Sequence, residues 1–353
     1  MKHPETPGAF LGGHGLGDEQ LPGTMAVRQG LLLALDFGGT KLTAALAAAG
    51  QRQWRAHTHV MSPPGADARS DLETMLSLAR ELLADADGTL AAVGVSFGGP
   101  VDAATGLVRL SHHVPGWEDT PLRDMLQAEL GAPVSVDNDA NAAALGEWRF
   151  GAGQGCDSLL YVTVSTGIGG GWILHGRRYR GADGLAGEIG HIVIQPGGPP
   201  CACGRRGCLE AIACGPAMAR RARELLALEP HSGAVLRALA SGDIERVTAE
   251  HISRAANNGD ALACQVLDEA AQALGLGIGT AIALINPQRV VLGGGVAKSG
   301  QRYFETVRAA ARASVLPGMR VDIVPAAQGD DAPLWGAIAL AEELLSTPME
   351  GRS

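Results

Sequence analysis

Five consecutive apolar positions, Leu31, Leu32, Leu33, Ala34 and Leu35, run into Asp36 and a Gly38-Gly39 turn, and apolar residues resume over 42–46. A short apolar run bounded by glycine marks a buried strand, so the spacing predicts strand, tight turn, strand. Residues 51–60 supply a third strand. Leu72, Met75, Leu76, Leu78, Ala79 and Leu82 recur at helical spacing within 71–83. Residues 91–95 form another buried strand, ended by Ser96-Phe97-Gly98-Gly99-Pro100. Thr120-Pro121 predicts a helix start, with Thr120 as N-cap and Pro121 at the first helical position. A strand over 134–136 and a helix over 139–150 follow.

The pattern then restarts. Residues 159–164 read as a strand, 165–170 as a turn and 171–174 as a second strand. A long helix is expected over 261–285, where Gly275, Gly277 and Gly279 permit close approach to a neighbour. Residues 289–292 form a strand ending in Gly293-Gly294-Gly295, and 333–345 a closing helix. Two strand–glycine turn–strand openings point to a duplicated α/β unit with a cleft between its halves. One large α/β domain with incidental glycine turns is the simpler alternative; three glycine clusters, each after an apolar strand, weigh against it.

A chain of 353 residues suits about two domains. Its 46% hydrophobic and 18% charged residues allow a packed core, while 4% aromatics disfavour an aromatic binding surface. A net charge of −9 without a long basic run argues against a nucleic-acid partner. The densest basic spot, Arg220-Arg221-Ala222-Arg223, reads as a solvated helix face. No stretch reaches the ~18 apolar residues of a membrane span. Residues 1–29, rich in glycine and proline, lack the apolar segment of a secretory signal and read as a disordered extension, with Met25 an alternative start. Three of the six cysteines, Cys201, Cys203 and Cys208, fall within eight residues. Without an export signal, such clustering reads as metal binding in a cytoplasmic protein. Cys156, Cys214 and Cys264 are unclustered and read as small core residues.

Glycine-rich turns present backbone N–H groups to phosphate without an obstructing side chain. Asp36 before such a turn suits Mg²⁺, directly or through water, and Lys41 suits a phosphate oxygen. Neither turn has P-loop spacing, and no Gly-x-Gly-x-x-Gly sits between a strand and a helix with a suitably placed acid, which disfavours a dinucleotide fold. In Val136-Asp137-Asn138-Asp139-Ala140-Asn141, Asp139 opens a helix, where the helix terminus favours a carboxylate. Such a group can accept a substrate hydroxyl's proton as a phosphoryl group arrives, a contribution of roughly 10²–10⁴-fold. Asp137 reads instead as a helix cap. His191, Cys201, Cys203 and Cys208 make a closed zinc shell, structural because no coordination position is left for a reacting water. Glu188 and Glu210 flank that set. Each is either a surface carboxylate or a ligand for vicinal hydroxyls, held in register by the metal loop.

These elements together resemble the ROK family (repressor, open reading frame, kinase), and within it the zinc-containing glucokinase-like sugar kinases. The resemblance runs from about residue 31 to 346. It rests on residues 36–41, 94–102, Pro115-Gly116-Trp117, 137–147, 165–171, 292–297 and above all the Glu-x-Gly-His…Cys-x-Cys-Gly-x-x-Gly-Cys-x-Glu segment from Glu188 to Glu210. It implies an α/β, actin-like and hexokinase-like (ribonuclease H-like) two-lobed ATPase fold with a central cleft. The lobes would be 30–137 plus 331–348, and 138–330 with a zinc loop over 191–208. It implies a hexose kinase using ATP and Mg²⁺, with structural Zn²⁺, glucose as the first-choice sugar and N-acetylmannosamine or N-acetylglucosamine as alternatives. A sugar-sensing regulator without kinase activity is the less favoured branch. Asp139 would be the base; Gly99, Asn138, Asp139, Glu188, His191 and Glu210 would hold the sugar. Asp36, Gly38, Gly39, Thr40, Lys41, Thr166, Gly167, Gly293, Gly294 and Gly295 would hold the nucleotide. Members are commonly homodimers or homotetramers. Ser165 departs from the glycine often found there, and would either add a hydroxyl contact to phosphate or slightly alter the turn.

Overall fold

The first apolar run forms strand β1 (Gly30–Phe37), whose leucines are all buried. The protein is described here by a computed structural model covering residues 30–63, 65–111 and 114–346. The extension 1–29, with Met25, lies outside the described residues, as do 347–348 at the end of the expected first lobe. After β1 come β2 (Lys41–Ala48), β3 (Trp54–Met61), helix α1 (Ala68–Ala84), β4 (Thr89–Phe97) and a two-stranded hairpin, β5 (Val101–Asp102) and β6 (Leu107–Val108). Helix α2 (Leu122–Leu130), β7 (Val134–Asn138) and α3 (Asp139–Phe150) complete the first half.

The second half begins with β8 (Leu159–Val164), β9 (Ile168–Leu174) and β10 (Arg177–Tyr179). A helical layer follows: α4 (Glu210–Ala213), α5 (Gly215–Leu228), α6 (Ala234–Leu239), α7 (Ala249–Asn257) and α8 (Ala261–Ile285). The chain ends through β11 (Arg289–Gly293), α9 (Gln301–Ala313), β12 (Ile323–Pro325) and α10 (Ala332–Ser346).

The sheets repeat one plan. The first runs β3-β2-β1-β4-β7 and the second β10-β9-β8-β11-β12. In each, an antiparallel meander of three strands is extended by two strands parallel to its first. Leu33, Leu35, Val93 and Val95 pack on α1 and α2, while Leu32, Ala34 and Ala92 pack on Leu334, Ala337 and Ile338 of α10. The second face needs small residues. A Cβ on Gly94 would lie 1.7 Å from the Ala337 carbonyl, so only glycine lets α10 settle on the sheet. Helix α10 also crosses α3 at backbone distance, with Gly336 against the Ala142 carbonyl. In α8, Gly275 and Gly279 face the α9 backbone, the close contact read from the sequence.

Three local expectations change. Thr120 does not cap α2: Pro121 occupies the cap position without a side-chain bond, and Thr120 bridges Val108 through both its backbone groups. The turn expected over 165–170 is shorter, because β9 already begins at Ile168, with Gly169 and Gly170 paired to Thr163 and Val162. Arg220, Arg221 and Arg223 are not a free solvated face. They bind the Ala211 carbonyl, Glu269 and the Val247 carbonyl respectively, and Ala222 between them is buried. Cys214 is buried as expected, Cys156 and Cys264 only half-buried.

Candidate active site

Parallel strands β1, β4 and β7 end side by side, with Asp36 opposite Ser96 and Ser96 opposite Asp137. The Ser96 hydroxyl donates to Asp36 Oδ1 at 2.7 Å. Burial pushes the Asp36 carboxyl up to about 6; the Ser96 bond and Lys41 pull against this, while Asp139 and Asp331 add to it. The turn after β1 closes by a bond from Gly38 N–H to the Lys41 carbonyl at 3.1 Å. A Cβ on Gly38 would stand 2.8 Å from that oxygen.

Asn138 is the N-cap of α3. Its Oδ1 accepts from the Ala140 and Asn141 N–H groups, and its Nδ2 donates to the Gly99 carbonyl at 3.1 Å and to Asp139 Oδ1 at 2.9 Å. Asp139 Oδ1 also accepts from Ala140 N–H at 2.8 Å, so the first turn of α3 fixes the carboxylate's direction. Asp137 is not a cap. It still belongs to β7 and is buried, and its carboxylate takes both Arg178 and Arg180 from the edge of the second sheet, at 2.8 and 2.6 Å. Arg178 also pairs with Glu343 of α10. Burial, with Arg180 beside it, holds the Arg178 guanidinium below its ordinary value, and Asp137 and Glu343 offset only part of that.

Asp139, Asn138, Gly99, Glu188, His191 and Glu210 all line one cavity of about 370 Å³, together with Thr166, Gly167, Gly294 and Gly295. The resemblance-derived sugar ligands are thus gathered at one place. Glu210 Oε2 accepts from Ile168 N–H at 2.9 Å, and a Cβ on Gly167 would collide with it at 2.7 Å. Tyr161, Gly329, Asp330 and Pro333 also line the cavity, and no sequence motif pointed to them. Burial and then Glu147 raise the Tyr161 phenol, leaving it a hydrogen-bond donor.

Beyond Ser165, Thr166 and Gly295, which both share, lies a second cavity of about 830 Å³ between α5, α7 and residues 296–299. Gly294, on the wall of the smaller cavity, turns at φ +87°, and a Cβ on it would meet the Val164 carbonyl at 2.4 Å. Asp36, Gly38, Gly39, Thr40, Lys41 and Gly293 line neither cavity; Gly293 instead packs on the Tyr161 hydroxyl.

The wall bearing Glu188 and His191 is the predicted metal loop. His191 ends a one-turn helix (Ile189–His191), and Gly207, at φ +74°, packs so tightly on the Gln195 carbonyl that no side chain fits. The donor atoms of His191, Cys201, Cys203 and Cys208 lie within 4.8 Å of one another. Cys203 and Cys208 sulfurs are 3.6 Å apart, and His191 Nδ1 is 3.7 Å from Cys201 Sγ. Tetrahedral zinc with bonds near 2.3 Å sets sulfurs about 3.8 Å apart, so the spacing and chemistry of this donor set suit Zn²⁺. His191 Nε2 faces Glu188 Oε2 at 3.9 Å, the kind of outer carboxylate that orients a metal-bound histidine.

Two lobes of like topology, meeting at a carboxylate flanked by glycine turns, define the actin-like ATPase fold. The chain belongs to the ROK family, whose model matches residues 32–344. It is 37% identical over 269 residues to a glucokinase of Thermotoga maritima, covering 75% of this chain and 84% of that protein. It is 33% identical to a glucokinase of Streptomyces coelicolor, covering 89% and 98%. The crystal structure of a ROK family glucokinase from Streptomyces griseus, in complex with glucose and AMPPNP, superposes with a TM-score of 0.77 at 35% identity, covering 89% of this chain and 100% of that one. N-acetylmannosamine kinase and xylose repressors also match. Among the described residues no helix is long and apolar enough to cross a membrane.

Proposed function

We propose that the protein transfers the terminal phosphoryl group of ATP to the 6-hydroxyl of a hexose, with glucose preferred. The observation that carries this reading is the Asp139 carboxylate, held by α3 in a polar cavity of about 370 Å³ that adjoins a second cavity of about 830 Å³ across Ser165, Thr166 and Gly295. The smaller suits a pyranose and the larger a nucleoside.

Asp139 accepts the hydroxyl proton as the bond to phosphorus forms. Asn138, locked to Gly99 and to the start of α3, holds the approach, and Glu188, His191 and Glu210 face the other rim of the sugar. A substrate epimer would leave one of these polar groups unpaired, a strong basis for selection. Backbone N–H groups around Thr166 and Gly167 suit phosphate oxygens. Asp36, close enough to feel the charge of Asp139 and Asp331, fits a site for Mg²⁺, which supplies charge neutralisation on the phosphates. Zn²⁺ on His191, Cys201, Cys203 and Cys208 would hold the sugar wall in shape. The clustered thiols suit a reducing compartment, which we take to be the cytoplasm. We also propose a homodimer or homotetramer, in keeping with exposed Leu276 and Leu284 on α8.

The N-acetylmannosamine kinase among the relatives supports a second reading with the same mechanism and a 2-acetamido sugar. Coupled ADP release with Mg-ATP against glucose, mannose, fructose, N-acetylglucosamine and N-acetylmannosamine separates the two. Turnover strongest with glucose is expected; turnover confined to an acetamido sugar transfers the assignment. No turnover in a zinc-loaded, sugar-binding protein would overturn the kinase reading.

A further inference from the structure

The chain contains three lysines, Lys2, Lys41 and Lys298, against twenty-five arginines. Both lysines in the described part accompany the expected phosphate path. Lys41 lies beside the β1–β2 turn and acts on Asp36. Lys298 follows the Gly293-Gly294-Gly295 turn, and its side chain lines the larger cavity. Its Nζ donates to both carboxylate oxygens of Asp330, at 2.7 Å each, and Asp330 lines the smaller cavity. The ion pair therefore stands where the two cavities meet.

Resting on the kinase reading, we infer that Lys298 is a ligand for the phosphates of the bound nucleotide and that Asp330 is the partner it exchanges for them. A phosphoryl group passing between the cavities must cross this junction. An ammonium on a flexible four-carbon stem can follow a moving phosphate as a point charge. The pair with Asp330 is half open to solvent on both sides, so it contributes little and yields readily to a polyanion. Asp330 also holds Lys298 away from anions too weakly charged to displace it. Such a pair would favour triphosphate over smaller anions.

The test is calorimetric binding of ATP, ADP and adenosine to the intact protein and to Lys298→Met, Lys298→Arg and Asp330→Asn. Lys298→Met should weaken ATP and ADP about tenfold, the scale of one charge-assisted hydrogen bond, and leave adenosine unchanged. Lys298→Arg should recover part of the loss. Asp330→Asn should tighten ATP, and that gain should vanish in the double variant. Equal ATP affinity in the wild type and Lys298→Met would overturn the inference, as would a loss that is the same for adenosine. Wild-type protein that binds no nucleotide would instead remove the kinase reading itself.

Discussion

Replacing Asp36 by Asn should stabilise the protein at neutral pH while ending turnover. The side chains have one shape, and the Asn oxygen still accepts from Ser96. What changes is charge. Burial, with Asp139 and Asp331 behind it, lifts the Asp36 carboxyl from 3.8 to about 6. A carboxyl raised on folding is disfavoured when ionised, so its penalty is absent below pH 4, develops through the window from about 4 to 6, and is complete above it. That rise corresponds to about 3 kcal/mol at neutral pH. Asp36 is only partly buried, and screening brings the expected effect to about 1–2 kcal/mol. Urea unfolding of both proteins at about pH 4 and 7.5 measures it, provided the denaturant slopes agree. The gap in favour of the variant should open by that amount as pH rises. A gap independent of pH, or a variant weaker at pH 7.5, would refute the argument.

Asp139→Ala should abolish phosphorylation while sugar binding, read by calorimetry, stays within a few-fold of wild type; retained turnover would remove Asp139 as the base. Cys208→Ser should lose stoichiometric zinc and several kcal/mol of stability. Burial pushes the Cys208 thiol up to about 12, so metal uptake should also weaken as pH falls, because the cation must displace its proton. Unchanged metal content and melting temperature would overturn that site. Gly94→Ala drives a methyl against the Ala337 carbonyl and should lower stability by roughly 3 kcal/mol or more, read by the melting temperature.

Much of this molecule was legible because its central strands are buried on both faces. Runs such as Leu31 to Leu35 announce themselves as apolar stretches, and glycines at 38, 98 and 167 mark where backbone approaches backbone or a carboxylate. The metal loop was equally plain, because its donors sit close in sequence. What escaped depends on partners far apart in the chain. Asp137 looked like a cap until Arg178 and Arg180, forty-odd residues on, claimed it. Thr120 resembled an N-cap, yet its backbone is used by Val108. Lys298 belongs to no motif, and its meaning comes only from Asp330, 32 positions away.

The return of α10 to the first sheet carries a consequence for how the chain acquires its structure. Leu32, Ala34, Ala92 and the groove at Gly94 have no cover until Leu334, Ala337 and Ile338 arrive, some three hundred residues after β1. During synthesis the second sheet and its helices can pack while the first sheet still shows one bare face. The half that emerges first is then the last to be finished. A released chain cut short before residue 332 would have its later half built and its earlier half open, so quality control that senses bare sheet should act on the amino-terminal half.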